Sequence, residues 1–77
     1  MPEVNIIVID TESTNTNLIS SVLTNRGYHV SLVAGGRQGL NLFDTNKFDI
    51  VYLDMGIIDI DPLEIISEFK KRDVDIM

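Results

Sequence analysis

Cysteine is absent from this 77-residue chain, and so is tryptophan. Without a thiol the chain forms neither disulfides nor thiolate metal sites. Its single histidine, His29, cannot build a histidine-rich metal centre. Basic residues are scarce: six lysines and arginines face twelve aspartates and glutamates, for a net charge of −6. Contact with a phosphate backbone needs a basic face, which excludes nucleic-acid binding by this segment. No apolar run approaches the roughly 18 residues of a membrane span, and no basic region followed by an apolar stretch opens the chain. These absences point to a cytoplasmic domain without a membrane partner.

What is present is an apolar fraction of 44%, enough for one small packed core. Chains of this size bury only about 60% of their unfolded surface. Two aspartates stand out, each directly after an aliphatic run. Val4-Asn5-Ile6-Ile7-Val8-Ile9 precedes Asp10, and Ile50-Val51-Tyr52-Leu53 precedes Asp54. Short runs rich in β-branched residues are typical of parallel strands covered on both faces. If both belong to one parallel sheet, both carboxylates lie at its C-terminal edge, where open α/β sheets bind ligands. Neighbouring strands run about 5 Å apart, so two negative charges would meet there. Such a pair is costly unless a cation or a shared proton offsets it.

The remaining chain alternates in the βαβ manner. Thr11, Glu12 and Ser13 offer capping side chains for a first helix up to about Arg26, with Leu18, Ile19, Val22 and Leu23 on one face. Gly27 is placed to end it. Tyr28 to Val33 reads as a second strand. Ala34-Gly35-Gly36 reads as a flexible lead-in to a helix over about Arg37 to Thr45 that buries Leu40 and Phe43. A third strand spans about Asp49 to Leu53. Pro62 suits the first turn of a third helix, with Leu63, Ile66 and Phe69 as its buried face. Val74 to Met77 looks like a fourth strand cut off as it begins. The expectation is therefore one domain over residues 1–77, incomplete at its C-terminus, with an outer strand edge open to pairing in a homodimer.

Several residues have plainer readings. Gly35-Gly36-Arg37-Gln38-Gly39 resembles a phosphate-cradling loop only superficially, since no Lys-Ser/Thr pair follows. Ser13 and Thr14 read as capping hydroxyls, and His29 as a surface or half-buried residue. Asp59 and Asp61 read as solvated acidic surface. Lys70-Lys71-Arg72 closes the third helix, where cations suit the negative end of the dipole.

The series Ile6-Ile7-Val8-Ile9-Asp10, Leu23-Thr24-Asn25-Arg26-Gly27-Tyr28, Gly39-Leu40 and Phe48-Asp49-Ile50-Val51-Tyr52-Leu53-Asp54-Met55 resembles a response-regulator receiver domain of two-component signalling. Asp61-Pro62-Leu63-Glu64-Ile65-Ile66 is similar to the opening of that family's third helix. The likeness covers the whole chain but about the first two thirds of a receiver. It implies an α/β, flavodoxin-like (CheY-like) parallel sheet of order 2-1-3-4-5, here with three full strands, alternating helices and a partial fourth strand.

The resemblance also implies chemistry. Asp54 matches the phospho-acceptor, whose carboxylate attacks the phosphorus of a phosphohistidine on a histidine kinase or phosphotransfer protein. Mg2+ screens the repulsion between the two anions, and it favours oxygen ligands. The family's metal-holding positions fall on Asp10, Asp54 and the backbone carbonyl of Gly56. An output domain or effector protein would read the resulting switch. The module is not expected to be an enzyme, and no catalytic residue is assigned.

This sequence departs from the family pattern at three positions, and the family's strand-four switch hydroxyl and the lysine after strand five have no counterpart within these 77 residues, which leaves the phosphorylation site incomplete. Thr11 replaces the second of two adjacent acids, so Thr11 and Glu12 become candidates for assisting the metal. Ile58 replaces a proline, and Pro62 a glycine. Two further readings therefore stand beside the first. One is a degenerate receiver that binds proteins without phosphorylation. The other is an unrelated small α/β enzyme using the two carboxylates as a metal or acid–base pair.

Overall fold

The computed structural model describes residues 3–72 and 75–76, except for the side chains of residues 13–16 and 75–76. The elements alternate: β1 (Asn5–Ile9), α1 (Ser13–Asn25), β2 (His29–Val33), α2 (Gly36–Thr45), β3 (Ile50–Leu53), α3 (Pro62–Lys71) and β4 (Asp75–Ile76). All pairings are parallel, in the order β2-β1-β3-β4. This is the expected flavodoxin-like sheet. The short β4 pairs with Ile50 and Val51 of β3, while Val74 and Met77, expected in the same strand, lie outside the described residues.

The chain moves one way across the sheet from β1 to β2 and the other way from β2 to β3. Parallel crossovers are right-handed, so this reversal puts α1 on one face and α2 with α3 on the other. The packing agrees. Ile7, Ile9, Val33, Val51 and Leu53 point to the second face and bury Ile65 and Phe69 of α3, with Leu40 and Phe43 of α2 against them. Phe43 and Phe69 make a T-shaped pair with ring centroids 5.2 Å apart. Ile6 and Val8 point the opposite way and are also buried, which explains why β1 shows no polar alternation.

At the start of α1, Glu12 stands at the N-cap position, where its side chain makes no capping hydrogen bond, and the side chain of Ser13, also expected as a cap, lies outside the described residues. The far end of α1 follows expectation, since Gly27 adopts a positive φ of 90°. Gly27 N–H donates to the Thr24 carbonyl and Tyr28 N–H to that of Leu23, the paired bonds of a Schellman ending.

Two helix faces differ from the spacing argument. In α1, Ile19 and Leu23 are half-buried, but Leu18 and Val22 are exposed. Among the described elements α1 lies mainly along β2, so only one side of its apolar stripe is covered. In α3, Leu63 is 71% exposed, and Ile65 with Phe69 forms the fully buried pair. Asp61 and Pro62 set where this helix starts, and from that start residues 65 and 69 face the sheet.

Candidate functional site: a carboxylate pair where the sheet changes direction

Ile9 and Leu53 are partners in the β1–β3 register, so the next residue on each strand, Asp10 and Asp54, leaves the sheet at the same level. They flank the point where the strand order reverses, the place where open α/β sheets form a ligand crevice. The main chain fixes both departures. Asp54 N–H donates to the Ile9 carbonyl at 2.8 Å, and Asp10 N–H donates to the Val33 carbonyl at 3.1 Å.

The two side chains are held alike. Asp10 Oδ1 accepts from the Glu12 N–H at 2.8 Å, and Asp54 Oδ1 accepts from the Gly56 N–H at 3.0 Å. Each aspartate thus folds back on the backbone two residues later, as aspartates do in tight turns. One oxygen of each is occupied, and the other has no hydrogen-bond partner among the described residues. Asp10 is only 7% exposed and Asp54 is half-buried. Neither meets a basic side chain among the described residues, so the pair concentrates negative charge.

Among the described residues no group of three or more His, Asp or Glu side chains is placed to hold a metal ion. Glu12 therefore does not join Asp10 and Asp54 in a three-carboxylate cluster. Both Thr11 and Glu12 are exposed. Gly56 lies close to Asp54: a Cβ there would stand 3.4 Å from both Asp54 oxygens. Two carboxylates and a main-chain carbonyl make a set of hard oxygen donors, which suits a divalent cation such as Mg2+.

Other acidic residues have structural work. Asp61, expected to be solvated surface, accepts from the Leu63 N–H at 2.9 Å and caps α3. The order Asp-Pro-Leu-Glu carried this signal, with a capping aspartate, proline at the first helical position and an acid in the first turn. Asp59 accepts from the Gly36 and Arg37 N–H groups, each at 3.0 Å. Those two main-chain donors hold its carboxyl below the usual carboxylate range.

The glycine run before α2 is thus no flexible lead-in, because Gly36 is buried and the helix start is occupied by Asp59. Its phosphate-loop look has a physical basis, since the anion bound there is the chain's own carboxylate. His29 is exposed and lies 3.5 Å from Glu3, which fits a surface role. Arg72 does more than face the helix dipole. Its Nε and Nη2 donate to the two oxygens of Asp44 at 2.7 and 3.1 Å, joining the ends of α2 and α3.

A doubly wound α/β sheet with two carboxylates at its reversal point defines the class of open α/β domains that offer a ligand crevice there. Comparison with known proteins narrows it. The family profile of the response regulator receiver domain matches residues 6–77, and this chain belongs to that family. It is 30% identical over 71 residues to the transcriptional regulatory protein TrcR of Mycobacterium tuberculosis, covering 92% of this chain and 28% of TrcR. A solved complex of histidine kinase ThkA with response regulator protein TrrA matches with TM-score 0.87 and 29% identity, over 95% of this chain and 65% of that one. The complex of the Saccharomyces cerevisiae phosphotransfer protein Ypd1 with the receiver domain of Ssk1 matches at TM-score 0.79 and 17% identity, over 94% and 52%. That last likeness concerns the fold alone. The chain spans less than two thirds of the length of each of these relatives.

Proposed function

We propose that this chain accepts a phosphoryl group on Asp54 and thereby switches a surface read by another protein. The observation that carries this reading is the common level of Asp10 and Asp54 at the reversal point of the sheet, each held by one oxygen. The donor would be a histidine kinase or a phosphotransfer protein, and the reader an output domain or effector in the cytoplasm. The solved complexes named above pair a response regulator with a histidine kinase and a receiver domain with a phosphotransfer protein, which supports the donor half of this reading.

In the proposed transfer, the unoccupied carboxylate oxygen of Asp54 attacks phosphorus. A P–O bond forms, the P–N bond to the donor histidine breaks, and the imidazole leaves with the electron pair and takes up a proton. The Gly56 N–H orients the carboxylate by holding its other oxygen. Asp10, Asp54 and the Gly56 carbonyl would hold Mg2+, with Thr11 and Glu12 nearby as candidates for its water shell. Bound there, the ion supplies charge neutralisation between carboxylate and phosphoryl group. The chain is an acceptor in this scheme, not an enzyme with its own substrate turnover.

Thr11 favours a second reading, because it leaves the pair one charge short of the family pattern. In that reading the fold binds proteins without phosphorylation. Intact-mass measurement after incubation with acetyl phosphate and Mg2+ separates the two. A gain of about 80 Da, absent in Asp54→Asn, supports the acceptor. No gain in a folded protein supports the binding module. Association of two copies along the outer sheet edge is also proposed, and a monomeric mass by light scattering would contradict it.

A further inference from the structure

Helix α2 begins without a cap of its own. Gly35 stands at its N-cap and has no side chain to accept from the first-turn N–H groups. The acceptor comes from 23 residues along the chain, where Asp59 Oδ1 takes the Gly36 N–H and Oδ2 the Arg37 N–H. Gly35 leaves the room: a Cβ there would lie 2.9 Å from Asp59 Oδ2. At Gly36 a Cβ would meet Ile60 at 2.3 Å, Ile65 at 2.7 Å and Ile57 at 3.0 Å. The two glycines therefore form a seat for the loop that follows Asp54.

Within that loop Ile57 is buried, whereas Met55 and Ile58 are exposed, Ile58 at 94%. Asp59 alone joins this loop to α2 by side-chain hydrogen bonds among the described residues, since the Asp61 carboxylate turns to the start of α3. The turn upstream is weakly closed by itself, its Ile57 N–H reaching the Asp54 carbonyl at 3.4 Å.

We infer that Asp59 is a positioning residue for phosphoryl acceptance: by fastening the loop to α2 it fixes the turn that aims the Asp54 carboxylate. This rests on the acceptor reading of Asp54. A role confined to capping α2 would look the same in a single variant, so the test moves the cap. Asp59→Ala removes both cap and fastening. Adding Gly35→Asp returns a local cap to α2, in the space Asp59 vacates, without rejoining loop and helix.

Phosphorylation by acetyl phosphate with Mg2+ is followed by intact mass, alongside amide exchange of α2 and of Gly56 and Ile57. Asp59→Ala is expected to react about tenfold more slowly than native, since small misplacements of a reacting group are costly. The double variant is expected to regain α2 protection yet stay slow, with Gly56 and Ile57 still exchanging fast. Asp59→Asn, which keeps one accepting oxygen, is expected to fall between and serves if the alanine variant does not fold. A native rate in Asp59→Asn, or recovery of the rate together with the α2 cap in the double variant, overturns the inference. If native protein takes no phosphoryl group, the acceptor reading itself fails. Exchange at Gly56 and Ile57 unchanged by Asp59→Ala would then separately refute the fastening.

Discussion

Gly39 of α2 lies directly on Ile9 of β1: a Cβ at position 39 would come within 2.5 Å of the Ile9 Cδ1 and 3.0 Å of its Cγ1. Ile9 is fully buried and immediately precedes Asp10, so this contact sets the depth of α2 on the central strand beside the site. Gly39→Ala adds a methyl to a filled space, which costs about 1–3 kcal/mol, and recovers about 1 kcal/mol of helix propensity. The expected net loss is about 1 kcal/mol. Gly36→Ala should lose more, because three isoleucine side chains converge there. Urea unfolding of the two variants checks the order.

Acid should weaken the fold through Asp59 and Asp44. Main-chain donors lower the carboxyl of Asp59, and the Arg72 guanidinium lowers that of Asp44, both from an ordinary 3.8. A group with a depressed native pKa stabilises the fold above its unfolded value, and that stabilisation disappears as pH falls through the native one. The contribution of these two residues should be constant from pH 7 to 5 and decline below about pH 4. Thermal melts across this range should show a shallower acid limb in an Asp44→Ala, Asp59→Ala double variant.

Replacing Arg72 by lysine should uncouple the ends of α2 and α3 while keeping the charge. Arginine grips both oxygens of Asp44 and also reaches the Glu68 carbonyl at 2.8 Å. An ammonium cannot reproduce that fork. Amide exchange in the last turns of both helices should quicken in Arg72→Lys, and faster exchange in α3 alone would show that the bridge is not shared.

Most of the strand and helix order is legible in the sequence, because aliphatic runs, Gly27 and Pro62 act locally. Asp10 and Asp54 are legible too, each ending such a run. The buried face of α3 is not, since apolar residues occur at 63, 65, 66 and 69 and only the helix start selects among them. Nor is the role of Asp59, whose partners lie 22 and 23 residues away. A glycine pair opening a helix without a capping residue is the one hint that an acceptor must arrive from elsewhere.

Thr11 gives a direct handle on the proposed metal. Thr11→Asp adds a carboxylate beside Asp10 and should tighten Mg2+ binding about tenfold, as ligand charge sets affinity for hard cations. Asp10→Asn should weaken it. Calorimetric titration of the three proteins with MgCl2 checks the ranking, and equal affinities would remove Asp10 from the metal site.

The central claim is that the Asp54 carboxylate forms an acyl phosphate. After exposure to acetyl phosphate and Mg2+, borohydride reduction converts a phosphorylated aspartate to homoserine, which peptide mass mapping can locate. Homoserine at position 54 alone, and only after phosphodonor treatment, is the predicted result. A modified Ser13, Thr14 or His29, or an unmodified Asp54 in folded protein, would contradict it.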